Sequence, residues 1–361
     1  MNARGPTRFA SGSAYWGAVA WLALVVGVGV LGPWLPLPYP PATPDLAHIA
    51  IPPGWGNSAA AHYFGTDPAG RDVLAELVFG ARELLTLSLP ATALATLLGA
   101  SAGGAAGFWG NRGLALPLAI GPLALAAGWW LLALPYWLIS SIILLIISFL
   151  IFIYQWKFAR LGPRRFAGVT LPLPLDSLVL GVATLLSAVP RLVLVVALAA
   201  GPPLSTSQLL AVLVLVAWPD TARLVRAQML RVRVQPFVEA AWASGLPEWR
   251  IWWRHALPHA CQPLWASAPL SLAGLIGLES TLAFLGIGLL PTTASWGHLL
   301  GTLRQEPTAW WLVVGPGSAL LFTLLALQEV ARQLSGLHSS KEYFNKTASD
   351  VTAAHLRTKI K

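Results

Sequence analysis

The chain has 361 residues, 56% hydrophobic and 10% charged, with a mean hydropathy of +0.66; a soluble domain carries about 25% charged residues, so a soluble globular protein is excluded. The formal net charge of +9 does not point to nucleic acid, because the basic residues fall in short clusters between apolar runs and act as topology signals. The one cysteine, Cys261, excludes an internal disulfide and a Cys-rich metal cluster.

In chain order, residues 1–14 form a cytoplasmic N-terminus in which Arg4 and Arg8 precede an apolar stretch longer than that of a signal peptide and without a small-residue cleavage site. That stretch is the first of eight expected membrane spans, at about 15–35, 84–108, 114–133, 136–156, 177–200, 208–225, 262–290 and 310–333. The expected fold is therefore an all-α polytopic membrane protein, with a transmembrane domain over 15–335. Arg4 and Arg8, Arg112, the group Lys157, Arg160, Arg164 and Arg165, the group Arg223 to Arg254, and Arg332 with the tail then all fall on one side. By the positive-inside rule that side is the cytoplasm, and both termini lie there.

Residues 36–83 go to the other side, opening with the proline-rich "PWLPLPYPPATPDL", which cannot form regular helix and reads as an external loop. Residues 114–156 have no charge between Arg112 and Lys157. They are long enough for an extra transmembrane hairpin at about 20 residues per crossing, and a single interfacial or re-entrant segment is the competing reading. A linker with prolines and glycines follows at 162–174.

The longest cytoplasmic segment between spans is 231–260. A short helix over Val238 to Ser244 ends at Gly245, and Pro247 suits the first turn of a second, Glu248 to Ala256. Trp242, Trp249, Trp252 and Trp253 with Glu239, Glu248, Arg250 and Arg254 have the composition of a protein interface. An amphipathic loop with its tryptophans at the lipid headgroups has the same composition. The polar tail 336–361 reads as mobile and cytoplasmic.

Two charges lie inside expected spans, Arg191 after Pro190 and Glu279, and each costs on the order of 3 kcal/mol at a helix centre. They either face a translocation pathway, where Arg191 would attract a peptide carboxylate, or snorkel or pair within the bundle. No GxxxxGK[ST] occurs, so no P-loop can cradle phosphates. His255 and His259 have i, i+4 spacing but no carboxylate or cysteine support. They read as packing residues, and no metal, cofactor or catalytic site is assigned.

The order Glu239-Ala240-Ala241, Gly245, Leu257-Pro258 resembles the EAA loop of ABC importer permeases. Four collinear stretches extend the likeness: "FGTDPAGRDVLAELVFGAR" at 64–82, "WPDTARLVRAQML" before the loop, "LESTLAFLGIGLLPTTASWGHLL" at 278–300 and "AWWLVVGPGSALLFTLLAL" at 309–327. Together they resemble the C-type subunit of the dipeptide/oligopeptide (and nickel) permease family. The resemblance implies the type I transmembrane-domain fold, with six family spans plus the inserted pair. It also implies an ATPase-coupling loop of Glu239, Ala240, Ala241, Gly245, Arg250, Arg254, Leu257 and Pro258, and an external family motif of Gly65, Thr66, Asp67, Gly70, Arg71 and Asp72.

The partners it implies are a homologous permease, two ATP-binding subunits that hold ATP and Mg, and an extracytoplasmic binding protein, in a bacterial or archaeal cytoplasmic membrane. The chain departs from the family at Ala256, at "LPE" 246–248, in its Gln328, Glu329 and Arg332 ending, and over 113–170, which has no family counterpart. The alternative classes are a secondary carrier or an intramembrane enzyme. The first needs inverted repeats with broken helices, the second a serine or paired aspartates at matching depth, and neither is evident.

Overall fold

The computed structural model describes residues 12–41, 43–54, 62–111, 115–117, 170–172, 174–199, 204–288 and 293–359, with side chains from Gly12 to Gly336 outside the two short strands. The expected hairpin 114–156 lies outside the described residues, save for Ala115–Pro117.

The described chain is mostly helical. Its elements are α1 (Gly12–Leu31), α2 (Val73–Glu83), α3 (Leu89–Trp109), α4 (Leu175–Ala188), α5 (Arg191–Ala199), α6 (Thr206–Val232), α7 (Pro236–Ala243), α8 (Glu248–Arg250), α9 (Leu257–Ala260), α10 (Leu264–Leu285), α11 (Trp296–Thr302) and α12 (Trp311–Lys359). Two three-residue strands, β1 (Ala115–Pro117) and β2 (Thr170–Pro172), pair antiparallel with Leu116 opposite Leu171. Five helices among the described residues are long and apolar enough to cross a membrane: Gly12–Trp34, Val73–Trp109, Thr206–Val232, Leu264–Leu285 and Trp311–Gly336. α4 and α5 together form a sixth candidate, bent by 83°.

Three local features differ from the sequence reading, each for a backbone reason. The expected loop 36–83 ends early, because Asp72 caps α2 by accepting from the Ala75 N–H and helix runs from Val73. The expected continuous span 177–200 is broken, because Pro190 lacks an N–H and forces its predecessor out of the helical region; Val189 is extended, at φ −98° and ψ 134°. The tail does not leave the last span as a separate element, since α12 continues as helix to Lys359.

Two stretches of wider, π-type turn, Leu84–Ser88 and Ile251–Ala256, each stand just ahead of a proline, Pro90 and Pro258. A proline ring inside a helix clashes with the carbonyl four residues back. Bonds reaching five residues back, from the Leu89 N–H to the Leu84 carbonyl and from the Leu257 N–H to the Trp252 carbonyl, widen the turn so that the helix continues through.

The bundle is organised by the crossing of α3 and α6. Lipid is as apolar as a leucine side chain, so helices in it associate by close van der Waals packing and favour small residues at the contact. Gly99, Gly103 and Gly107 recur every fourth residue on α3 against the Trp218, Ala222 and Arg226 carbonyls of α6. At the next layer Leu87 of the π-type turn ahead of α3 fills a core with Leu209 and Leu213 of α6 and Leu282 of α10. α1 and α10 both pack on α12, with Trp21 Nε1 donating to Thr323 Oγ1 at 3.1 Å. An Arg226–Asp176 ion pair, with Nη2 to Oδ2 at 2.6 Å, ties α4 to α6.

Candidate functional site

The segment after α6 folds into a tightly packed helical knot. Pro236 opens α7 at its first turn, where a missing N–H costs nothing. Val238 and Ala241 face inward, onto Phe108, Val225 and Met229 of the bundle and onto Ile251, Trp252, Ala256 and Leu257 of the second arm. α7 ends as Gly245 turns left-handed at φ +74°, its N–H donating to the Trp242 carbonyl at 2.9 Å. Any other residue there is strained, although a side chain would meet open space.

What this knot presents outward is aromatic and basic. Trp242 is 55% exposed, Trp249 61% and Trp253 57%, with Trp249 and Trp253 stacked at a centroid distance of 6.1 Å. Glu239, Ala240, Arg250, Arg254 and Pro258 are exposed on the same segment, and among the described residues neither Arg250, Arg254 nor Glu239 has an ion-pair partner. Glu248 is held by the Trp109 indole N–H at 3.0 Å. Ala241 and Leu257 instead pack inside. A rigid aromatic and arginine face with free charges is the chemistry of a protein-docking surface.

The residues Gly65 to Asp72 form a second, inward-looking construction. Gly65 and Gly70 have φ of +80° and +78°, and a Cβ on either would stand 2.5 Å from a carbonyl oxygen, of Ile51 and Asp45. Thr66 Oγ1 donates to the His48 carbonyl at 2.7 Å and accepts from the Ile51 N–H at 2.9 Å. Asp67 Oδ1 accepts from the Ala69 and Arg71 N–H groups, yet burial outweighs these bonds and pushes its carboxyl above the ordinary range. Trp311 of α12 donates from Nε1 to the Thr66 carbonyl at 3.0 Å. The motif thus orders the approach to α2 and pins it to the last helix.

The two intramembrane charges part company. Arg191, at the start of α5, borders a cavity of about 540 Å³ with Asp220, Ser267, Ser271 and Thr281, and forms an ion pair with Asp220. Glu279 is buried outside that cavity, where its carboxylate accepts from Ser295 Oγ at 3.0 Å and Ser280 Oγ at 3.4 Å. Sequence reasoning did not pair Asp220 with Arg191; the signal available was that an intramembrane arginine needs a counter-charge.

Residues 165–334 match the family described as the binding-protein-dependent transport system inner membrane component. A putative peptide transport system permease protein of Brucella suis is 30% identical over 309 residues, 85% of this chain and 80% of that relative. The chain belongs to this permease family. The permease is also 28% identical over 322 residues to the di/tripeptide transport system permease protein DppC of Pseudomonas aeruginosa, covering 88% of this chain and 85% of that one. It is 26% identical over 305 residues to the probable D,D-dipeptide transport system permease protein DdpC of Escherichia coli, covering 84% and 79%. The family match takes in the permease's Arg191, Asp220, Glu279 and the whole of Glu239 to Pro258, whereas Gly65 to Asp72 precede it.

Proposed function

We propose that this permease is the transmembrane subunit of an ABC importer in a bacterial or archaeal cytoplasmic membrane. It carries peptides or a similar small solute delivered by an extracytoplasmic binding protein. The observation that carries the reading is the outward face of the 231–260 segment. Trp242, Trp249 and Trp253 are large apolar rings left exposed beside Arg250 and Arg254 on a scaffold fixed by Val238, Ala241, Ile251 and Trp252.

Such a face fits the groove of an ATP-binding subunit, and two of these subunits bind ATP and Mg and carry out hydrolysis, since this chain has no P-loop. The second permease of the pair is homologous. Closure of the ATPases around nucleotide moves the knot as a unit, and the α3–α6 crossing on which it sits transmits the movement to the pathway. Arg191 and Asp220 border that pathway, and Arg191 suits a solute with a carboxylate. The names of the relatives, which include peptide, di/tripeptide and D,D-dipeptide systems, support the substrate class.

Co-expression with its permease and ATPase partners, followed by reconstitution into liposomes, tests the reading. ATP-dependent accumulation of a labelled dipeptide that requires the binding protein is the expected result. Uptake that persists without ATPase subunits refutes it.

A further inference from the structure

Upstream of α2, three side chains able to bind a metal converge: Asp45 and His48, three residues apart, and His62. Asp45 Oδ2 lies 2.8 Å from His48 Nδ1 and 3.5 Å from His62 Nε2, and one ligand atom from each of the three falls within 4.8 Å of the other two. A tetrahedral ion with ligands at about 2.0–2.2 Å needs ligand atoms about 3.3–3.6 Å apart; the Asp45–His62 separation of 3.5 Å already has that spacing, and the Asp45–His48 contact at 2.8 Å has to open to take the ion.

His62 is the decisive member. Its side chain is 3% exposed, and among the described residues its Nε2 makes no hydrogen bond, an orphaned polar atom of the kind that folded proteins avoid. Its other ring nitrogen is committed, with Nδ1 2.9 Å from Asp72 Oδ1. A carboxylate can only accept there, so Nδ1 is the donor in that contact and Nε2 is the ring nitrogen that faces Asp45 Oδ2. A histidine whose far nitrogen donates to a carboxylate while the near one faces a cluster of ligands is the outer-sphere arrangement of metal-binding histidines.

The surroundings hold the cluster in place. Tyr39 stacks on the His62 ring at 4.0 Å between centroids, fixing its plane. The Asp45 backbone N–H donates to the Gly70 carbonyl at 2.8 Å. Asp72 uses its second oxygen on the Ala75 N–H, so it orients His62 from outside the ligand set. The Ala47 N–H donates to Asp45 Oδ1 at 3.0 Å, which leaves Oδ2 to face the two imidazoles.

The geometry points to a resident divalent transition-metal site, Zn²⁺ in first place, formed by Asp45 Oδ2, His48 Nδ1 and His62 Nε2 with Asp72 as orienting carboxylate. Two imidazoles and a single carboxylate suit Zn²⁺, Co²⁺ or Ni²⁺ rather than Mg²⁺ or Ca²⁺, which take all-oxygen shells. Three protein ligands leave a fourth position for water. The ion ties Asp45 to the N-cap of α2 and is a fixture of the fold rather than cargo, so the inference stands apart from the transport reading.

The test uses the full-length chain in detergent, stripped with EDTA and titrated with Zn²⁺ alone against a chromogenic chelator. One Zn²⁺ per chain is expected, with thermal stabilisation that EDTA reverses, and Co²⁺ in its place should show the visible absorption of a tetrahedral site. His48→Ala should weaken binding by about tenfold or more, and Asp72→Asn by about 10–100-fold, while His259→Ala changes nothing. The metal-free melting midpoint of His48→Ala should equal that of the native chain, which separates loss of a ligand from loss of fold. Asp45→Asn serves as a second ligand variant should His48→Ala melt lower. Absence of Zn²⁺ binding, or equal binding by the native chain and both ligand variants, overturns the site.

Discussion

Gly103 of α3 lies so close to Ala222 of α6 that a Cβ on the glycine would stand 2.1 Å from the Ala222 carbonyl oxygen. The obstacle is backbone, so no side chain can rotate away, and the two helices must separate to admit even a methyl group. Gly103→Ala should therefore destabilise the chain by about 1–3 kcal/mol, the range for overpacking. Gly181→Ala, where a Cβ meets nothing within 4 Å, should be neutral or slightly stabilising. Unfolding titrations of the two variants in mixed micelles compare them directly, and equal midpoints would sink the close-packing argument.

On the proposed ATPase-docking face, Gly245 and Trp242 test different things. Gly245→Ala strains a left-handed backbone position by about 1 kcal/mol without a steric clash, so the chain should insert normally and lose part of its binding-protein-stimulated ATPase activity. Gly245→Trp and Glu239→Lys should abolish that activity and transport with insertion intact. Trp242→Ala removes an exposed ring whose aromatic contact to the core is edge-on with Phe108 at 6.4 Å, and leaves Val238, Ala241, Ile251 and Trp252 in place. As a central aromatic anchor it should weaken capture of the ATPase subunit by about 2 kcal/mol or more. Normal transport by Gly245→Trp would remove this segment from the coupling role.

Arg191 and Asp220 pair across the cavity between α5, α6 and α10, with Arg223 Nη1 3.7 Å from the same aspartate. Removing Arg191 does not leave Asp220 without a counter-charge, so Arg191→Ala should still assemble with its partners. Uptake of a solute carrying a free carboxylate should fall, and uptake of its amidated analogue should fall less. Equal losses for both solutes would show that Arg191 does not recognise a carboxylate.

Long apolar runs were legible in the sequence because lipid demands them, and α1, α6, α10 and α12 lie where those runs lie. The start of α2 was not, since Glu76, Arg82 and Glu83 interrupt the apolar pattern although Glu76 is buried. Pro190 was visible as a proline, but its 83° consequence depends on how α4 and α5 pack on α6. In the 231–260 segment Gly245 and Pro247 announced the turn, while the division into buried Ala241 and Leu257 and exposed Glu239 and Arg250 required the three-dimensional knot. Asp45, His48 and His62 follow no metal-ligand spacing at all. Asp45 and His48 are three residues apart, and it is the pairing of Asp45, Ala50 and Ile51 with Gly70, Asp67 and Thr66, with His62 bound to Asp72, that brings His62 to them.

The pH dependence of the region around Asp67 follows from His298 on α11. Burial, with Arg71 nearby, pushes the imidazole below its ordinary value of 6.5, while Asp67 opposes the shift in part. In the window between the lowered folded value and 6.5 the unfolded chain binds a proton that the folded chain does not, so stability rises with pH across that window. His298 therefore contributes fully above 6.5, and its contribution is lost as pH falls through the folded value. Asp67 acts with the opposite sign. Its folded value is raised above 3.8, so the folded state holds the proton more tightly and stability falls as pH rises from 3.8 through the raised value. Melting curves of the full chain in EDTA, taken between pH 8 and pH 5, should show the midpoint dropping as pH falls below 6.5. His298→Gln cannot titrate, and its curve should be flatter over the same interval. The native-minus-variant difference cancels every titration that the two proteins share. A difference that does not change between pH 7.5 and pH 5 would mean that His298 titrates alike in the folded and unfolded chains, against its burial beside Arg71.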